Sequence, residues 1–120
     1  MQEYKTKFYT NVKDGRSPVL NYIEKLQDKE KAKVFKFIEF LRIKNGRLDE
    51  PYSKHIKGKI RELRIDFSKN RHRIFYFTFI NKTIILLHCF LKTTKKTPII
   101  EIKKAEENYK NVLSNSKIYE

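Results

Sequence analysis

The sequence predicts an α+β domain: a small, antiparallel-rich sheet carrying an N-terminal pair of helices and one C-terminal helix. Three features of the apolar pattern point there. Alternation comes first, then two segments with apolar residues at three- and four-residue spacing, then two nearly unbroken apolar runs bounded by turn residues. The implied order is β-α-α-β-β-β-α.

Each element has a local reason. Tyr4, Thr6, Phe8 and Thr10 alternate with Lys5, Lys7 and Tyr9, the pattern of a half-exposed strand, and Asp14-Gly15 breaks it. Ser17-Pro18 is a helix start: the serine can cap, and proline suits the first turn because its missing N–H is not needed there. Val19, Tyr22, Ile23 and Leu26 follow on one stripe. Asp28 offers a second cap, and Val34, Phe37, Ile38 and Leu41 repeat the spacing up to the Asn45-Gly46 stop. Two such helices joined by a tight link make an αα-hairpin.

A polar loop runs through Pro51. In Lys59–Phe67 the period changes to two: Leu63, Ile65 and Phe67 share one face, and Glu62, Arg64 and Asp66 the other. His72–Ile80 and Thr83–Leu91 read as central strands covered on both faces, with Asn81-Lys82 as the hairpin turn between them. Thr97-Pro98 opens the last helix, striped by Ile102, Ala105, Tyr109 and Val112, and the residues after Ser114 are expected to fray.

Length sets one domain over residues 1–120, and nine Phe and seven Tyr supply much of its core, each buried ring removing ~150–250 Å² from water. A single cysteine, Cys89, excludes an internal disulfide and a cysteine-rich zinc site, and its apolar setting predicts a buried, inert thiol. The start, Met1-Gln2-Glu3-Tyr4, has no apolar leader region and no stretch is long enough to span a bilayer, so the expected location is the cytoplasm.

Charge is the most directive property. Twenty-eight Lys and Arg face fourteen Asp and Glu, a net +14. Between Ser53 and Lys96 there are twelve basic side chains and two acids, so this segment holds +10 of the excess together with His55, His72 and His88. Such a local field calls for a polyanionic partner. Antiparallel pairing across Ser68–His72 would bring Arg64 beside Arg73, with Lys92, Lys95 and Lys96 emerging where the last strand ends. Tyr76 and Phe90 could wall a basic concavity on which RNA phosphates meet cations and bases meet rings.

Four blocks then resemble one known family. Lys54-His55-Ile56-Lys57-Gly58-Lys59-Ile60-Arg61-Glu62-Leu63-Arg64 comes first, then His72-Arg73-Ile74-Phe75-Tyr76. Leu87-His88-Cys89-Phe90-Leu91-Lys92 and Lys95-Lys96-Thr97-Pro98 follow, with Glu101-Ile102-Lys103-Lys104-Ala105 in the last helix. Together they resemble the RelE/ParE toxin superfamily, in particular its phage-derived HigB-like branch. That resemblance implies the toxin of a type II toxin–antitoxin pair. It would be a metal- and cofactor-independent endoribonuclease cutting mRNA in the ribosomal A site. Its neutralising partner would be a helix-turn-helix antitoxin, through which alone it would meet operator DNA.

Carried over by position, Arg64, Arg73 and Lys92 would hold the scissile phosphate. His88 and His55 are the candidate proton-transfer groups, since imidazole titrates near neutral pH. Lys54, Lys57, Arg61, Tyr76, Phe90, Lys95 and Lys96 would contact RNA. Two positions depart from the family pattern: Thr93 replaces a lysine and His72 a tyrosine. A toxin of the same fold that inhibits DNA gyrase without cutting, or a basic RNA- or ribosome-binding protein, is the alternative.

Overall fold

The computed structural model describes residues 3–79 and 81–120, and Ile80, expected to end a strand, lies outside them. Its elements are β1 (Lys5–Phe8), α1 (Pro18–Glu24), α2 (Asp28–Ile43), β2 (Ser53–Lys57), β3 (Ile60–Phe67), β4 (Asn70–Phe79), β5 (Thr83–Leu91) and α3 (Ile99–Ser114). The class is α+β, as the sequence predicts, with one strand more. The five strands form a mixed sheet in the order β1-β5-β4-β3-β2. Its one parallel pair is β1 with β5.

The sheet carries a core on each face. Leu63, Ile65, Ile74, Tyr76, Ile84, Leu86 and Cys89 pack against Val19 and Ile23 of α1 and Val34, Ile38 and Leu41 of α2. Phe75, Phe77, Ile85 and Leu87 pack on the other side against Ala105 and Val112 of α3. Burial on both faces explains why β4 and β5 read as continuous apolar runs. Within β5 the register slips opposite Phe75 and Tyr76, so Leu87 and His88 both turn toward α3.

Several local expectations change. Ser53–Lys57, to which the sequence reading assigned no strand, is the edge strand β2. Its composition follows from that place, because an edge strand needs only one buried face and is protected by charge. Ser17 precedes α1 but makes no capping bond, and its Oγ is buried without a partner. Asp28 is the first residue of α2 and not its cap; there it meets the positive end of the helix dipole. The tail expected to fray forms a 3-10 turn, Ser116–Tyr119, and the Tyr119 hydroxyl accepts from Thr10 N at 3.1 Å with its ring buried.

Both turn predictions hold. Asn81 and Lys82 have φ of 66° and 58°, the pair of positive values a type I′ hairpin requires. At the end of α2, Asn45 N–H donates to Arg42 O (3.0 Å) and Gly46 N–H to Leu41 O (2.8 Å). This is the paired bonding of a Schellman stop. Gly46 sits at φ +80°, and a Cβ there would lie 2.5 Å from Thr78 Oγ1. Gly46→Ala is therefore expected to destabilise the fold by about 1–2 kcal/mol, the cost of a left-handed L-residue, with further loss if Thr78 cannot turn away. Urea unfolding of the two proteins measures it.

Candidate nucleic-acid interface

The α3-facing side of β3, β4 and β5 is built by register. Antiparallel pairing sets Arg64 opposite Arg73, and Arg73 opposite Phe90. One row away, Glu62 faces Phe75 and Phe75 faces His88. On the other flank Asp66 faces Arg71, and Lys92 N–H donates to Arg71 O at 2.8 Å. Pairing of Arg64 with Arg73 is what strand parity predicts.

Two like charges opposite each other repel, and carboxylates offset this. Arg64 Nε lies 2.9 Å from Glu62 Oε1, a carboxylate with no exposed surface. Arg73 Nη1 lies 2.8 Å from Asp66 Oδ1 and also donates to His72 O. Thr97 Oγ1, at the mouth of α3, reaches the other Glu62 oxygen at 3.5 Å. Arg73 is 5% exposed, and its Nε is buried without an acceptor. Lys92 belongs to the same field. Burial holds its ammonium below the usual lysine range, with Arg73, Arg64 and Arg71 acting in the same direction and Glu62 opposing. Arg64, Arg73 and Lys92, predicted from three different segments, therefore share one cluster. Lys54, exposed and paired with Glu62 across the β2–β3 ladder, borders it.

The other predicted residues distribute differently. His88 is 9% exposed, its Nε2 lies 2.7 Å from Glu101 Oε1, and its ring stacks on Phe90. It lies one row from the arginines, tied to α3. His55 is exposed on β2 with Nε2 2.7 Å from Gly58 O; its ladder partner is Arg61. Both occupy the α2-facing side, away from the cluster. Lys57 is exposed and pairs with Glu106 of α3 at 3.1 Å. Lys95 and Lys96 are exposed in the β5–α3 loop.

Two aromatic assignments are corrected. Tyr76 is fully buried on the α2-facing side and its hydroxyl donates to Gly46 O (3.2 Å), so it is core and cannot stack on a base. Phe90 is 6% exposed and packs edge-on against Phe75, forming a wall under the cluster and offering little ring face.

Sequence reading did not place Glu62 and Arg71 in the site. Glu62 is detectable in hindsight as one of the two acids that share Arg64's face. His72 is placed outside the site. It is 1% exposed on the opposite side of the sheet, where Nδ1 meets the Tyr22 hydroxyl at 2.7 Å and Nε2 bonds Glu30. His72 thus belongs to the packing of α1 and α2 on β4. Cys89 is buried in that core and burial pushes its thiol well above the ordinary range, in keeping with an inert side chain. Among the described residues no three His, Cys, Asp or Glu side chains converge, and no helix is long and apolar enough to cross a membrane.

A family model described as "Phage derived protein Gp49-like (DUF891)" matches residues 21–110. The chain belongs to this family. The Gp49-like family is associated with toxins of toxin–antitoxin pairs. The matched span runs from α1 into α3 and includes every residue of the basic cluster. No curated protein matches the chain significantly.

Glu30 is expected to make the stability of this Gp49-like chain depend on pH. Its carboxyl is held below the ordinary range, first by the Asn70 amide (2.9 Å) and then by His72. A depressed folded-state pKa contributes stability that is present above the unfolded value, about 4.3, and is lost as pH falls through the lower folded value. Glu30→Gln is expected to be less stable than wild type at pH 7, with the gap closing below about pH 4, measured by urea unfolding at both pH values.

Proposed function

We propose that this Gp49-like protein is a RelE/HigB-type toxin that cleaves mRNA on the ribosome without a metal ion, acting in the cytoplasm and neutralised by a helix-turn-helix antitoxin. The observation that carries the reading is the convergence of Arg64 of β3, Arg73 of β4 and Lys92, just past the end of β5, around buried Glu62.

The cluster suits attack of a ribose 2′-OH on its neighbouring phosphate. That reaction gathers negative charge on the phosphorane oxygens, and preorganised cations stabilise it. Arg64 is partly exposed and available to a phosphate oxygen; Arg73 Nε, lacking an acceptor, is a donor such an oxygen would satisfy. Glu62 is wholly buried and holds the Arg64 guanidinium, whereas Asp66, its side chain exposed beside Arg73, is the carboxylate that can accept the 2′ proton. Lys92, its ammonium made more acidic by burial and neighbouring arginines, is suited to protonate the leaving 5′ oxygen.

A second reading, binding without cutting, has one observation in its favour. Neither His88, engaged with Glu101, nor His55, on the opposite face, adjoins the arginines. Cleavage therefore leaves Asp66 and Lys92 to move the protons. Incubation with mRNA and ribosomes separates the readings. Wild type is expected to cut, and Arg64→Ala and Lys92→Ala each to cut about 10²–10³-fold more slowly, the usual loss for one charge-stabilising donor, with circular dichroism unchanged. Cleavage at the wild-type rate by both variants would remove the cluster from the chemistry. Gyrase-dependent DNA breakage with intact mRNA would favour the non-cleaving reading.

A further inference from the structure

Arg61 and His55 lie away from the cluster, and they line a second basic feature. A cavity of about 660 Å³ opens between the end of α2 and the β2–β3 turn, bounded by Lys44, Arg47, His55, Lys59 and Arg61. No carboxylate lines it, and among the described residues none of its Lys or Arg side chains is in an ion pair. In the cluster, by contrast, Arg64 and Arg73 each have a carboxylate partner.

The cavity is held by the fold. Tyr76 OH has one proton and gives it to Gly46 O, so Ser53 Oγ donates to Tyr76 (2.8 Å) and in turn accepts from Arg61 Nε at 3.3 Å. Ser53 and Tyr76 are fully buried. This relay ties the α2 stop to β2 and fixes the Arg61 guanidinium by one nitrogen, leaving its terminal amino groups for a ligand.

We propose that this cavity is a second binding site, for the phosphodiester backbone of single-stranded RNA; the proposal rests on RNA being the ligand of the cluster. Unpaired cations in a concavity select an anion, and guanidinium forks suit phosphate. The lining is more polar than apolar, whereas the buried centre of a protein–protein interface is mostly apolar. Lys54 stands exposed on β2, the edge strand separating cavity from cluster, so a strand crossing that edge meets cations on both faces.

Anisotropy of fluorescein-labelled oligo(U) RNA, titrated with the whole protein over a range of salt, tests this. Arg47 and Lys59 are both exposed, so Arg47→Ala/Lys59→Ala spares the core. This variant is expected to bind more weakly, with a log Kd–log salt slope smaller by about 1.4, ~0.7 per lost single-strand contact. Lys13→Ala/Lys117→Ala removes the same charge elsewhere and is expected to change the slope far less. Wild-type affinity and slope in the cavity variant, with weakened binding by Arg64→Ala, would overturn the second site alone. Equal losses in the two double variants would also overturn it, leaving only a general field. Failure of wild type to bind RNA would overturn both readings. RNA bound through the cavity by a protein that does not cut mRNA would overturn only the cleavage.

Discussion

The β3–β4 register holds Arg64 against Arg73, and the candidate site depends on that contact. Isolated, the pair would cost energy. It persists because Glu62 and Asp66 stand on the same face of β3 and each takes one guanidinium. Glu62 is the more consequential, being wholly buried, paired with Arg64 and acting on Lys92 as well. A one-residue slip would turn Glu62 and Arg64 into the α2 core and Leu63 and Ile65 toward α3. Cores on both faces of the sheet lock the register against that slip.

The same sheet divides the chain's basic excess. In sequence the excess is one strip; in the fold β-strand alternation sends Arg64 and Arg73 to one face, where Lys92 joins them past the end of β5, and Arg61 and His55 to the other. The two sets then differ in kind. Carboxylates are interleaved with the first, which makes it suited to chemistry. The second is cation-rich and uncompensated, which makes it suited to holding a polyanion.

Much of this was legible because it depends on parity. Leu63, Ile65 and Phe67 against Glu62, Arg64 and Asp66 give the face of β3 directly, and the neighbouring turn gives the Arg64–Arg73 pairing. Parity fails where both faces are buried: nothing in the run His72–Phe79 shows that Tyr76 is core, and the slip at Leu87–His88 inverts the pattern midway through β5. It also fails at β2, where an edge strand with one apolar residue, Ile56, resembles a loop. Contacts between distant segments were out of reach. The Tyr22–His72–Glu30 group and the Gly46–Tyr76–Ser53–Arg61 relay each join helices to strands far away in sequence.

If the cluster directs a 2′-OH onto its own phosphate, the bond that breaks is the one to the 5′ oxygen. The chemistry of the new ends is then fixed without reference to any variant. Mass spectrometry of fragments from mRNA incubated with ribosomes and the protein reads those ends directly. The account predicts 2′,3′-cyclic phosphate (or the 3′-phosphate from its hydrolysis) opposite a 5′-hydroxyl. A 3′-hydroxyl opposite a 5′-phosphate, or uncut mRNA, would contradict it.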